Sequence, residues 1–140
     1  MWFRALLLCD DIRFEVGGTM TLVGVFADRI LVEPGEGPLV LPRLAVYSVI
    51  AGLSGVVEIS WRQTLFAMGS ASDQPLAHGR ERHDAASDEH RLVNIMSPLV
   101  LPGPGRYRLV LEFETQVERG SLEHDFLVER APPAPKRTSS

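Results

Sequence analysis

The chain has almost no cysteine and no long apolar run. Cys9 is the only cysteine among its 140 residues, so no disulfide can form within the chain. An immunoglobulin-type cysteine pair around a core tryptophan is excluded for the same reason. No apolar run approaches the ~20 residues that a membrane-spanning helix needs. We therefore expect neither a disulfide-stabilised fold nor a membrane partner.

Lysine is also scarce, and the basic residues are dispersed along the chain. Lys136 is the only lysine, and the formal net charge is -4. Nucleic-acid-binding proteins concentrate Lys and Arg on one face, where they neutralise phosphates. We therefore expect no nucleic-acid partner. Hydrophobic residues make up 45% of the chain, which is ordinary for a globular protein.

The beginning of the chain invites comparison with a lipoprotein signal, because apolar residues lead up to Cys9. The apolar stretch after Arg4 is only four residues long, against roughly 7–15 for a secretory signal. Leu8, directly before the cysteine, is too bulky for the usual cleavage site. We expect a first β-strand of a cytoplasmic protein instead.

Apolar and polar residues alternate with a period of two in residues 57–65, 106–114 and 121–129. In a helix, successive apolar members of such a set would lie about 200° apart and scatter over both faces. The alternation therefore predicts half-buried strands. Further strands are expected over residues 2–9, 12–16, 19–26, 29–32, 44–51 and 92–101, the last interrupted by Pro98.

Glycine and proline mark the breaks between these strands. Gly17-Gly18 can take the positive φ angles of a tight hairpin turn, and residues 52–55 are expected to form a second short hairpin connection. Residues 69–90 are polar and predict one long irregular segment, either a mobile loop or a loop that contains a short helix. The segment from Ala131 onward is rich in proline and predicts a flexible tail.

These elements predict an all-β fold, a single antiparallel β-sandwich of about seven to eight strands. Two sheets that face each other would bury one apolar face each. A closed barrel is the alternative. We assign residues 1–130 to the β-sandwich domain and residues 131–140 to the Pro-rich flexible tail.

Several short motifs resemble those of a known family. The segments at residues 5–13 (ALLLCDDIR), 17–18 (GG) and 22–26 (LVGVF) are similar to the opening of a bacterial family of small β-proteins catalogued only as a domain of unknown function. Residues 41–44 (LPRL) and 104–109 (PGRYRL) resemble its later landmarks. The similarity spans most of the chain up to Val128. It implies a bacterial, cytoplasmic β-sandwich and supplies no catalytic residues.

The densest set of potential metal ligands lies in the predicted loop at residues 69–90. His83, His90 and Asp84 are the candidates, with His78, Asp88 and Glu89 nearby. Zinc sites use such groups in a tetrahedron. Their spacing matches no recognised zinc pattern, so we predict a polar loop and no metal site.

Other reactive residues have structural interpretations. Asp10-Asp11 could form half of a calcium site, but a turn with one carboxylate paired to Arg13 is favoured. Cys9 is expected to be a small core residue, and His124 lies on the inward parity of its strand. Trp2, Trp61 and Tyr47 could stack on sugar rings; Trp61 has core parity, and Trp2 is left open.

No catalytic triad, carboxylate pair or phosphate-binding loop can be recognised. We therefore expect a non-enzymatic module without a cofactor, which acts in protein–protein interaction or assembly, including self-association. The interrupted strand at Pro98 and the segment at residues 69–90 are the expected contact regions. The alternative is a β-sandwich domain that binds a small ligand or a carbohydrate.

Overall fold

The computed structural model describes residues 2–70, 73–84 and 87–133. Eleven strands and no helix occur in these ranges, which confirms the all-β class. No helix among the described residues is long and apolar enough to cross a membrane. The strands are β1 (Trp2–Phe14), β2 (Met20–Phe26), β3 (Arg29–Val32), β4 (Leu39–Leu41), β5 (Leu44–Ala51), β6 (Val57–Ala67), β7 (Asp73–His83), β8 (His90–Met96), β9 (Leu99–Leu101), β10 (Gly105–Glu114) and β11 (Arg119–Arg130).

The strands form three sheets. A four-stranded sheet has the order β2-β1-β5-β8, a five-stranded sheet has the order β3-β11-β10-β6-β7, and β4 pairs with β9. All neighbours are antiparallel except β3, which runs parallel to β11. The described residues therefore form eleven strands in three sheets with one parallel pair, where a single antiparallel β-sandwich of about seven to eight strands was predicted.

The two larger sheets share a hydrophobic core. Leu8 and Val46 of the four-stranded sheet lie in the same buried cluster as Leu65 and Leu109 of the five-stranded sheet. Alternate residues of a strand point to opposite faces, so the observed alternation places one apolar set of each sheet inside. The small β4–β9 sheet adds four buried leucines to this cluster: Leu39, Leu41, Leu99 and Leu101.

The predicted long loop at residues 69–90 is wrong over most of its described length. Residues 73–83 form β7, which pairs with β6 from Val57 to Phe66. β7 is an edge strand with mostly polar side chains, so its pairing depends on backbone hydrogen bonds rather than on an apolar face. Gly79 also leaves room for Trp61, because a Cβ there would lie 2.9 Å from the Trp61 ring.

Two turn predictions have different outcomes. Gly17 and Gly18 have φ angles of 94° and 85° in the β1–β2 hairpin, as expected. Residues 52–55 do not form a hairpin, because β5 belongs to the four-stranded sheet and β6 to the five-stranded sheet. The connections β2–β3 and β7–β8 also pass from one sheet to the other, each between edge strands.

The interruption at Pro98 is confirmed, since it separates β8 from β9. At the C-terminal end, the backbone N–H of Ala131 donates a 2.7 Å hydrogen bond to the carbonyl of Val32. Residues 131–133 have no regular structure. The rest of the predicted tail, residues 134–140, lies outside the described residues.

Candidate functional site

The four-stranded sheet is apolar on both of its faces. Leu8, Leu44 and Val46 point into the main core. Their neighbours in the two strands, Cys9 and Ala45, are buried in a separate cluster. Among the side chains that the structure describes, that cluster contains only members of the four-stranded sheet: Cys9, Ile12 and Ala45, with Met20, Leu22, Tyr47 and Val93 packed against them. We call this cluster and the exposed Val25 and Ile95 beside it the outer apolar patch.

Gly24 lies in β2 next to Val25, at a close approach to β1. Its φ angle of +64° falls in the left-handed region that favours glycine. A Cβ at this position would lie 3.1 Å from the Cβ of Asp10, so the two strands approach closely there. Beyond this point, Ile12 and Leu22 join Cys9 in the same cluster.

The outer apolar patch reaches both edges of its sheet. Val25, on edge strand β2, is 51% exposed, and Ile95, on edge strand β8, is 39% exposed. In the described ranges, β2 and β8 each have a strand neighbour on one side only. Such edges can pair with another chain unless they are covered.

The outer face of the five-stranded sheet is charged instead. Arg108 donates a 2.7 Å hydrogen bond from Nε to Oδ1 of Asp125, and this hydrogen bond lowers the pKa of the Asp125 carboxyl. Arg119 lies 3.4 Å from Glu114 at the end of the same strand pair. The two large sheets therefore present outer surfaces of opposite character.

Two of the three predicted metal-ligand candidates come together at the β7–β8 junction. His83 ends β7 and His90 begins β8, and their Nδ1 atoms are 3.3 Å apart. The Nε2 atom of His83 lies 2.5 Å from the carbonyl oxygen of Ser87, and the Nε2 atom of His90 contacts the carboxylate of Glu81.

The third candidate, Asp84, is exposed and follows His83 directly. It does not form a metal site with the two histidines. Among the residues that the structure describes, no group of three or more His, Cys, Asp or Glu side chains is arranged to hold a metal ion.

The interpretation of Asp10-Asp11 needs correction. Both residues lie inside β1, which continues to Phe14, and not in a turn. Asp11 pairs with Arg43 at 2.9 Å, where Arg13 was predicted. Arg13 is nearer to Asp11 along the sequence, but the antiparallel pairing of β1 with β5 brings the start of β5 beside Asp11.

The predicted core position of Cys9 is confirmed, whereas His124 is only half-buried. Cys9 is fully buried, and burial, followed by the nearby Asp11 and Asp10, raises the pKa of its thiol. A thiol held protonated in this way is a poor nucleophile. His124 is half-buried and stacks on Phe126 with ring centroids 6.3 Å apart.

Trp61 is half-buried and packs against the core, as its parity predicts. It also lines an open cleft of about 790 Å³ that crosses β7, β6, β10 and β11. Charged side chains from three strands, Arg62, Arg80 and Glu112, line the same cleft. Tyr47 belongs to the outer apolar patch instead.

The outer apolar patch could have been found in the sequence. Residues 44–51 (LAVYSVIA) are almost continuously apolar, and β1 is apolar at successive positions. Such runs are typical of strands buried on both faces.

Comparison with known proteins supplies no further guide, since no protein-family model matches the chain and no curated protein is similar to it.

Proposed function

We propose that this chain is a non-catalytic, cytoplasmic bacterial β-sandwich module that acts in protein–protein interaction or assembly. The two larger sheets, which share one core, would be the layers of the sandwich. The outer apolar patch would be its contact surface. The contrast between this patch and the charged outer face of the other sheet is the observation that carries the proposal.

A second copy of the chain is the occupant that we favour. The same apolar patch on two copies can meet across a two-fold axis, which is the commonest arrangement of homo-oligomers. Completing the burial of Val25 and Ile95 would contribute roughly 1 kcal/mol each. Because association itself costs at least about 4 kcal/mol, these two residues alone cannot hold a dimer. The half-buried Tyr47, Leu22 and the strand edges must contribute.

This energy balance makes the assembly concentration-dependent. Light scattering coupled to size-exclusion chromatography, over a series of concentrations, should show a mass that rises above 15.5 kDa. Ile95→Arg should return the protein to the monomer mass. Val117→Arg is the matched control, since Val117 is 86% exposed in the β10–β11 turn. It should leave the assembly unchanged.

A strict monomer at every concentration would contradict self-assembly. The broader interaction proposal would fall as well if the monomer captured no partner from a bacterial lysate in a manner sensitive to Ile95→Arg. Equal effects of Ile95→Arg and Val117→Arg would show that added charge, rather than the patch, governs association.

The cleft beside Trp61 favours a second candidate function, the binding of a small ligand or a carbohydrate. An aromatic ring flanked by Arg62, Arg80 and Glu112 combines a stacking surface with hydrogen-bonding groups. A soluble sugar panel should then raise the melting temperature of the wild type but not of Arg62→Ala. If no sugar changes the melting temperature, this candidate is excluded.

A further inference from the structure

At the β7–β8 junction, the Nε2 atoms of His83 and His90 each face a hydrogen-bond acceptor. The Nε2 atom of His83 faces the carbonyl oxygen of Ser87, which can only accept a hydrogen bond. The Nε2 atom of His90 faces the carboxylate of Glu81, which also accepts when it is ionised. Each Nε2 atom therefore carries a hydrogen and donates it.

When both rings are neutral, this assignment leaves a lone pair on the Nδ1 atom of each ring. A neutral imidazole has one N–H donor and one bare acceptor nitrogen. The two bare Nδ1 atoms of His83 and His90 face each other at 3.3 Å. Two acceptor nitrogens at that distance repel each other unless a proton or a metal ion lies between them.

The geometry of the pair fits one metal ion. Two nitrogens at 2.0–2.1 Å from a tetrahedral zinc ion are about 3.3 Å apart. The rings are nearly perpendicular, at 82°, which keeps them from colliding around a shared ion. The hydrogen bonds to Glu81 and to Ser87 are those that orient metal-binding histidines in proteins, a carboxylate or a carbonyl on the far nitrogen.

We propose that the Nδ1 atoms of His83 and His90 bind one divalent transition-metal ion of the zinc or copper class. Water would complete the coordination, and it can reach the site beside His90, whose side chain is 17% exposed. The ion would tie the end of β7 to the start of β8, and so join the edges of the two large sheets. The site does not depend on the outer apolar patch.

Zinc is the probe of choice, and nitrogen-15 NMR of the histidine rings is the readout. The chain has four histidines, so His78 and His124 serve as internal controls. In the metal-free protein, His83 and His90 should both carry the hydrogen on Nε2. Added zinc should shift the two Nδ1 resonances of this pair and leave the rings of His78 and His124 unchanged.

Variants separate the ligands from their supports. His90→Gln should weaken zinc binding more than 10-fold, while His78→Gln, at an exposed position of the same β7 strand that carries His83, should leave it unchanged. Glu81→Gln should weaken it by roughly 10-fold, as expected for loss of a carboxylate that orients a ligand. A dispersed backbone spectrum for each variant shows that it is folded.

Two results would overturn the proposal. The first is a shared proton alone, seen as an Nδ1–H signal in one ring of the pair that persists with saturating zinc. The second is an equal response of all four histidines, which indicates adventitious surface binding. Both can be observed in the wild type, so the test stands even if His90→Gln fails to fold.

Discussion

Replacing Gly120 by alanine tests how closely β10 and β11 pack. A Cβ at this position would lie 2.2 Å from Cζ and 2.5 Å from Cε1 of Phe113, the residue paired with Gly120 across the two strands. The backbone itself tolerates alanine, because the φ angle of Gly120 is outside the left-handed region. The whole effect must therefore come from the ring of Phe113.

The expected magnitude follows from the burial of that ring. Carbon atoms in contact are normally about 3.5–4.0 Å apart, so the ring must move by more than about 1 Å. Phe113 is only 5% exposed and packs with Ile50, Ile59 and Leu111. We expect a loss of about 2–3 kcal/mol in the free energy of unfolding, in the upper part of the range for overpacked cores. At this chain length, that loss lowers the melting temperature by roughly 6–10 °C.

Urea and thermal unfolding, followed by tryptophan fluorescence, would measure this loss. Gly103→Ala is the matched control, because a Cβ there meets nothing within 4 Å; its effect should stay within about 0.5 kcal/mol. Gly79→Ala should fall between the two, since Trp61 is half-buried and its ring can move outward. Phe113→Leu should recover part of the loss caused by Gly120→Ala. A Gly120→Ala protein as stable as the Gly103→Ala protein would refute the β10–β11 register.

Three further changes have expected outcomes. Tyr107→Phe removes the 2.5 Å hydrogen bond from the Tyr107 hydroxyl to the Gly103 carbonyl, and should lower the unfolding free energy by about 0.5–1.5 kcal/mol in urea titrations; no loss would show that this bond is not formed. The lowered pKa of Asp125 means that its pairing with Arg108 stabilises the fold above about pH 4 and is lost as the pH falls through the folded-state pKa, so the gap in unfolding midpoint between the wild type and Asp125→Asn should close in acid, whereas an equal gap at every pH would contradict it. The buried thiol of Cys9, whose pKa is raised, should react with a thiol reagent only in urea; rapid reaction in buffer would show that the outer apolar patch leaves it accessible.

The sequence predicted well those strands that have one buried face and one solvent-exposed face. β6 and β10 are neighbours inside the five-stranded sheet, and their inner side chains, such as Ile59 and Leu111, are buried while the alternate positions are not. A strand that is buried on one face only needs an apolar residue at every second position, and this pattern predicted both strands. β4 was missed because it has three residues and directly follows a Pro/Gly segment.

β7 was missed for a different reason. Its residues are mostly polar, and the strand forms because it pairs with the backbone of β6 from Val57 to Phe66, with one register shift between Gln63 and Thr64. Sequence patterns report side-chain burial, so they cannot detect a strand held mainly by its backbone. The sequence also could not predict that β5 and β6 belong to different sheets, because a short glycine-containing link is compatible both with a hairpin and with a connection between sheets.

The candidate site could be predicted only in part. His83 and His90 were recognised as possible ligands, but seven residues of separation match no metal motif. Their approach results from the passage of the chain from β7 to β8, which no local pattern encodes. The role of Glu81 was not foreseen, because it depends on the two-residue spacing of Glu81 and His83 within a strand that was read as a loop.

The claim on which the functional account depends is that the outer apolar patch is covered by a second copy. The solvent accessibility of the patch can be measured directly as the paramagnetic relaxation enhancement that a soluble nitroxide causes at methyl groups, at low and at high protein concentration. We expect the relaxation enhancement at Val25 and Ile95 to fall as the concentration rises, while that at Val117 stays constant. An enhancement at Val25 and Ile95 that does not change with concentration would contradict the account.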